Sequence, residues 1–173
     1  VFGPEQAVTP EPTTLYGAFK LAGEGAARAY WVDHGIASAG FRPLIVYGPE
    51  RVTGMTAAPS LACRAAARGE DATIPFSGET DFVYVTDVAA AFAEAAATSF
   101  EGARGYNITG ESTTAEAFAL AVERVAPGVT ITAAGPLLPI APGMDGASLR
   151  RDFPTVPLTT VADGIARTIA FYR

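Results

Sequence analysis

The feature that most constrains this chain is an alternation. Short apolar runs closed by glycine or proline stand between longer segments whose apolar residues repeat at helical spacing. The run "GFRPLIVYGP" (40–49) is too short for a helix and is bounded by turn residues, so it reads as a buried strand closing in a turn. "DFVYVTD" (81–87), "GYNITG" (105–110) and "VTITAAG" (129–135) read as further strands, and "ATIPF" (72–76) as a short one. Between them fall helices expected over about 14–33, 59–68, 87–97, 113–125 and 161–172. In the first, Leu15, Phe19, Ala22, Ala26 and Tyr30 share one side, and Gly35 ends it. Asp87 is expected to cap the third, and Thr113 with Glu116, and Thr160 with Asp163, form capping boxes for the last two. Val161, Ile165, Ile169 and Tyr172 supply the apolar face of the final helix. Strands alternating with helices imply an α/β domain with a largely parallel sheet. The few clear strands are too few for a free-standing doubly wound sheet.

Composition narrows the function. The 173 residues are enough for one domain with a sizeable core, and 49% are apolar. Net charge is −6 and no basic run exists, which speaks against a nucleic-acid partner, because duplex binding needs clustered cations. No apolar run reaches the roughly 20 residues of a membrane helix, and neither a membrane partner nor a signal peptide is expected; a cytoplasmic location is. The single Cys63 lies in an apolar helical stretch and reads as a small core residue; one Cys and one His make no usual zinc site, and no metal is expected. The one His, His34, sits where a cation suits a helix C-terminus, and Tyr30 and Trp31 read as packing residues.

The chemistry lies in "TTLYGAFKLAGE" (13–24). Tyr16 and Lys20 stand four apart, on one face of the expected helix, and Lys20 is the only lysine in a chain whose other basic residues are arginines. A neighbouring ammonium favours the phenolate form of a tyrosine, and such a pair can pass a proton to or from an alcohol or carbonyl oxygen. The ammonium's three rotatable donors also suit ribose hydroxyls, which arginine's planar fork does not match. The spacing alone is common; its coincidence with the sole lysine, after a proline-rich opening (1–12) and before a buried strand, gives it weight.

"PTTLYGAFKLAGE" resembles the P-x-S-x-Y-G-x-S-K-x-x-x-E run of the extended short-chain dehydrogenases/reductases, the NAD-dependent epimerase/dehydratase group. "FRPLIVYGPE" is similar to their R-x-x-N-V-Y-G-P strand and turn. "GETDFVYVTDVAAAF", "GYNITGE" and the closing "FPTVPLTTVADGIARTIAFYR" resemble three later segments in the same order. The resemblance implies the C-terminal part of a Rossmann-like doubly wound sheet plus a smaller substrate-binding subdomain. In this reading 1–50 and about 81–110 contribute to the sheet, and about 51–80 and 111–173 to the substrate side. It implies an NAD(P)-dependent enzyme with NAD or NADP as cofactor, Tyr16 as catalytic acid/base, and Lys20 orienting it and holding the nicotinamide ribose. Pro43 would lie beside the nicotinamide, or else be a plain strand-edge proline. Arg51, Thr53 and Thr56 would face the substrate, though Arg51 reads equally as a solvated arginine. A homodimer through the Tyr–Lys helix is also implied.

Other parts of the family pattern are missing or altered. No Gly-rich turn between a strand and a helix is present; "GEGAAR" (23–28) lies inside the Tyr–Lys helix. "VFG" (1–3) resembles the end of the S-S-x-x-V-Y-G run, so the hydroxyl that polarises the substrate is expected before Val1, together with on the order of a hundred residues of a nucleotide-binding half. Ile45 and Thr80 stand where sugar-nucleotide members often carry Asn and Arg toward the diphosphate, which favours a smaller sugar, sugar acid or carbonyl compound. Arg150 and Arg151 either compensate or are helix-end charges. Epimerase, dehydratase and dehydrogenase chemistry all remain open. The alternative is a truncated, non-catalytic fragment or interaction module that binds no cofactor alone.

Overall fold

A computed structural model describes residues 12, 14–54, 56–138, 140 and 143–173. The expected opening loop, with its "VFG" run, lies outside the described residues apart from Pro12. Helix α1 (Leu15–His34) begins where Thr14 Oγ1 accepts the Gly17 N–H at 3.1 Å. It ends where Gly35 turns left-handed (φ 65°) and the Gly35 and Ile36 N–H groups close back on Trp31 and Tyr30 carbonyls.

The run after α1 is two strands rather than one. β1 (Ser38–Pro43) pairs in parallel with β5 (Ala103–Ile108), and β2 (Ile45–Tyr47) pairs in parallel with β4 (Glu79–Tyr84). The chain changes partner at Leu44, whose N–H still reaches Ile108 O at 3.3 Å. Pro43 has no N–H to offer a ladder, so the break falls where pairing is already weakened. Between β2 and β4 come α2 (Ala58–Ala67) and β3 (Ala72–Ile74). After β4 come α3 (Val85–Ala97) and β5. The short β6 (Glu111–Thr114) adds antiparallel to β4, and α4 (Ala115–Val125) leads to β7 (Ile131–Ala133), which pairs in parallel with β3. Two helices close the chain, α5 (Ala147–Asp152) and α6 (Val161–Tyr172).

β4 divides two cores by its pleat, since successive side chains point to opposite faces. Phe82 and Tyr84 join Ile45, Tyr47, Phe118, Ile165 and Ile169 in a core closed by α2, α4 and α6. Phe82 stacks on Phe118 at 4.5 Å, and Tyr47 meets Phe118 edge-on at 5.1 Å. Val83 joins Leu44, Tyr106, Ile108, Leu149 and Phe153 on the other face.

Several local expectations change. Asp87 is not the cap of α3. It lies in the first turn, buried, and its carboxylate accepts the Thr159 N–H and hydroxyl, both at 2.7 Å. Thr114, not Thr113, caps α4: it is the last residue of the β6 ladder, and its Oγ1 accepts the Ala117 N–H at 3.1 Å. Thr160 caps α6 as expected, accepting the Asp163 N–H. The side of α1 carrying Leu15, Phe19 and Tyr30 packs against nothing in the described structure: Leu15 is 80% exposed and Phe19 73%, and no residue of α1 is buried. Tyr30 is therefore not a core residue; its ring leans on His34. Cys63 is buried in the first core, and burial pushes its thiol up to about 12. No described helix is long and apolar enough to cross a membrane.

Candidate active site

Two elements build the site. α1 supplies Tyr16 and Lys20, one turn apart, with Lys20 Nζ 5.4 Å from the centre of the Tyr16 ring. β1 supplies its backbone and Pro43. Together with β5 they enclose a cavity of about 490 Å³, lined among others by Tyr16, Lys20 and Pro43. The three residues expected from the sequence as catalytic and cofactor contacts thus line one cavity. Tyr16 is 65% exposed, so its side of the cavity is wet.

The electrostatics of the cavity run against those of the chain. Lys20, Arg28, Arg42 and Arg104 line it with Glu24 as the acidic member; Arg42 is paired with Glu24 and Arg104 with Asp152 at 3.0 Å, so Lys20 and Arg28 carry its excess of positive charge, although the whole chain carries −6. A concave surface of that sign draws anionic ligands. Arg42 grips Glu24 with both ends of its guanidinium, Nε to Oε1 and Nη2 to Oε2, each at 2.6 Å. The hydrogen bonds from Arg42 hold the Glu24 carboxyl below its ordinary range, against the opposing pull of partial burial; the Arg42 and Arg28 charges add to the lowering. Arg42 also reaches Asn107 Oδ1 at 3.5 Å, and Asn107 Nδ2 donates to Asp145 O.

The other expected substrate residues fall elsewhere. Arg51 donates to Thr53 O at 2.6 Å and to Thr56 Oγ1 at 3.4 Å, folding the loop over Gly54. These three residues hold one another and none lines the cavity. Arg150 reaches Thr109 Oγ1 and Arg151 pairs with Asp152, so both are helix-end charges of α5 with local partners. Ile45 and Thr80, each 1% exposed, sit on the face of the first core.

Glu24 and Arg42 escaped the sequence reading as site residues. Their signals were present: Glu24 lies four residues past Lys20, and Arg42 is the one charge in an otherwise apolar strand run.

The profile of the NAD dependent epimerase/dehydratase family matches residues 2–109. No curated protein sequence is a match. Among solved structures, an L-threonine dehydrogenase from Cupriavidus necator in its holo form superposes with a TM-score of 0.81 at 24% identity, over 95% of this chain and 57% of that one. The UDP-glucose 4-epimerase of Thermus thermophilus, in complex with NAD, gives 0.78 at 26% identity, over 98% and 57%. A UDP-glucuronic acid 4-epimerase from Bacillus cereus, with UDP-glucuronic acid and NAD, gives 0.78 at 20%, over 99% and 57%. The chain spans under three fifths of the length of these relatives, and their common Rossmann-like α/β architecture is its own.

Proposed function

The chain belongs to the NAD-dependent epimerase/dehydratase family, and from that premise we propose that the protein interconverts a hydroxyl and a carbonyl on a small molecule, with Tyr16 as acid/base and Lys20 as its partner. The observation that carries this is the cavity that Tyr16, Lys20 and Pro43 line together, with the lysine ammonium 5.4 Å from the centre of the phenol ring.

The donor set fits the nicotinamide-ribose end of a dinucleotide. The Lys20 ammonium offers three donors for ribose hydroxyls, Pro43 of β1 adds an apolar ring to the lining, and the positive charge of Lys20 and Arg28 suits an anionic cofactor. When bound, NAD or NADP supplies the hydride acceptor and donor. The chain's own residues supply the proton traffic. As the phenolate, Tyr16 takes the proton of a substrate hydroxyl as it becomes a carbonyl, and as the phenol it returns one in the reverse direction. Lys20 steadies the negative charge that the phenol oxygen carries in the phenolate form.

The substrate class is a small sugar, sugar acid or carbonyl compound rather than a nucleotide sugar. Ile45 has no donor, and Thr80 is buried in the core with its Oγ1 unpartnered among the described residues. Neither supplies the charge that a diphosphate demands. Replacing Tyr16 by Phe in the full-length protein tests the mechanism: turnover should fall by about a hundredfold or more, and survival within a few-fold refutes it.

A second reading rests on the bare α1. With Leu15, Phe19 and Val32 exposed, the 173-residue chain presents an incomplete site and acts only as a module completed by other surface. Titrating this chain with NAD separates the two: tight binding with a redox signal defeats the module reading.

A further inference from the structure

α1 carries the working pair but buries none of its own residues, so apolar packing in the described structure does not fix how the helix is turned against the strands. A polar clamp does connect them. Glu24 lies one turn beyond Lys20 on α1, and both its oxygens are taken by Arg42 of β1. The pair is about three quarters buried, a setting in which two parallel charge-assisted bonds fix orientation as well as distance. Gly105, paired with Gly40 across β1 and β5, leaves the guanidinium its place: a Cβ there would stand 3.1 Å from Arg42 Nη2.

The spacing creates a competition. Tyr16, Lys20 and Glu24 follow at intervals of four, so Lys20 has a phenol one turn behind it and a carboxylate one turn ahead. An unclaimed Glu24 would draw the ammonium away from Tyr16. The charged groups facing this wall are Lys20, Glu24 and Arg28 of α1, Arg42 of β1 and Arg104 of β5. Of these, Arg42 holds the carboxylate. We propose that Arg42 is a positioning residue for the Tyr16–Lys20 pair: by engaging both oxygens of Glu24 it fixes α1 against β1 and keeps the Glu24 carboxylate off Lys20. This rests on the reading of Tyr16 and Lys20 as the working pair, but its test needs neither cofactor nor turnover, so it stands or falls apart from the Tyr16→Phe result.

Lys20 is the only lysine, so its acylation by acetic anhydride can be followed cleanly by peptide mass spectrometry. All chains compared, the otherwise unaltered one included, carry Arg28→Gln, so that Arg28, whose charge also acts on Glu24, cannot take the released carboxylate. Arg42→Gln then leaves it to the ammonium, and Lys20 acetylation should slow by about two-fold or more at fixed pH. In the double variant Glu24→Gln/Arg42→Gln the rate should return to that of the unaltered chain. A merely structural role for Arg42 would leave the single and double variants alike, and that result overturns the proposal, as does an unchanged rate in Arg42→Gln. Should Arg42→Gln fail to fold, Glu24→Gln decides alone. A rate within about two-fold of the unaltered chain supports the proposal, because Arg42 already occupies the carboxylate. A several-fold acceleration shows that Glu24 was pairing with Lys20 all along and overturns it.

Discussion

Replacing Gly164 by Ala should destabilise the chain, against the ordinary preference of helices. Gly164 lies in the first turns of α6, and alanine in an exposed helix would gain about 1 kcal/mol over glycine. Here the added methyl would fall inside contact distance of the Tyr47 hydroxyl, 2.7 Å from the ring carbon that bears it and 3.0 Å from the Tyr84 ring. Tyr47 is fully buried between β2 and α6, with its hydroxyl 3.4 Å from the Thr160 and Val161 carbonyls, so it has little room to retreat. Overpacking of this kind costs about 1–3 kcal/mol. Because the clash involves two buried rings, the upper part of that range applies, and the net loss is about 1–2 kcal/mol, or roughly 2–8 °C in Tm for a chain of this size. Denaturant titration followed by circular dichroism measures it. Tyr47→Phe is the diagnostic companion. It removes the nearest clashing atom and gives up only one long hydrogen bond, shared between two carbonyls, at about 0.5–1.5 kcal/mol. The double variant should therefore be more stable than the sum of the single losses by about 1 kcal/mol, a coupling well above the additivity error of distant sites. A Gly164→Ala chain as stable as the original, or strictly additive losses, would refute the packing argument.

Two further expectations concern titratable groups. The Glu24 carboxyl is held below its ordinary value of 4.5 by Arg42, so its contribution is fully present above that pH and is lost as the pH falls through the depressed value. Glu24→Gln should thus lower stability by up to about 1 kcal/mol near neutrality, a figure reduced for partial solvent screening, and the difference should vanish in acid; a difference constant from neutral to acid pH contradicts the assignment. Cys63, with its thiol pushed up to about 12 by burial, should resist a thiol-specific disulfide reagent near pH 8 and react only when denaturant opens the core, so rapid native labelling would show that the α2 packing is wrong.

Local rules proved legible in the sequence, and long-range choices did not. Thr14, Gly35 and Thr160 mark helix ends because capping is decided within four residues. The break at Leu44 was invisible, because its cause is a change of partner from β5 to β4, strands that lie far along the chain. β6 has no apolar signature at all; Glu111–Thr114 is a strand because β4 offers it an edge. Asp87 carried the right residue type for a cap, but Thr159 supplies its donors from 72 residues away. At the site, the Tyr16–Lys20 spacing was readable from helical geometry, whereas the Arg42 clamp joins two elements and leaves only a lone charge in an apolar run as its trace.

The same division bears on which reading of function the chain can sustain. Periodicity announces that α1 has an apolar side, yet in the described structure that side meets solvent at Leu15, Phe19 and Tyr30. The proton transfer assigned to Tyr16 gains most where fixed dipoles replace water around the reacting oxygen. A tyrosine that is 65% exposed does not yet enjoy that replacement. The Glu24–Arg42 clamp is made within the described residues, so on the proposed function a surface laid over Tyr16 would add exclusion of water rather than the arrangement of the pair.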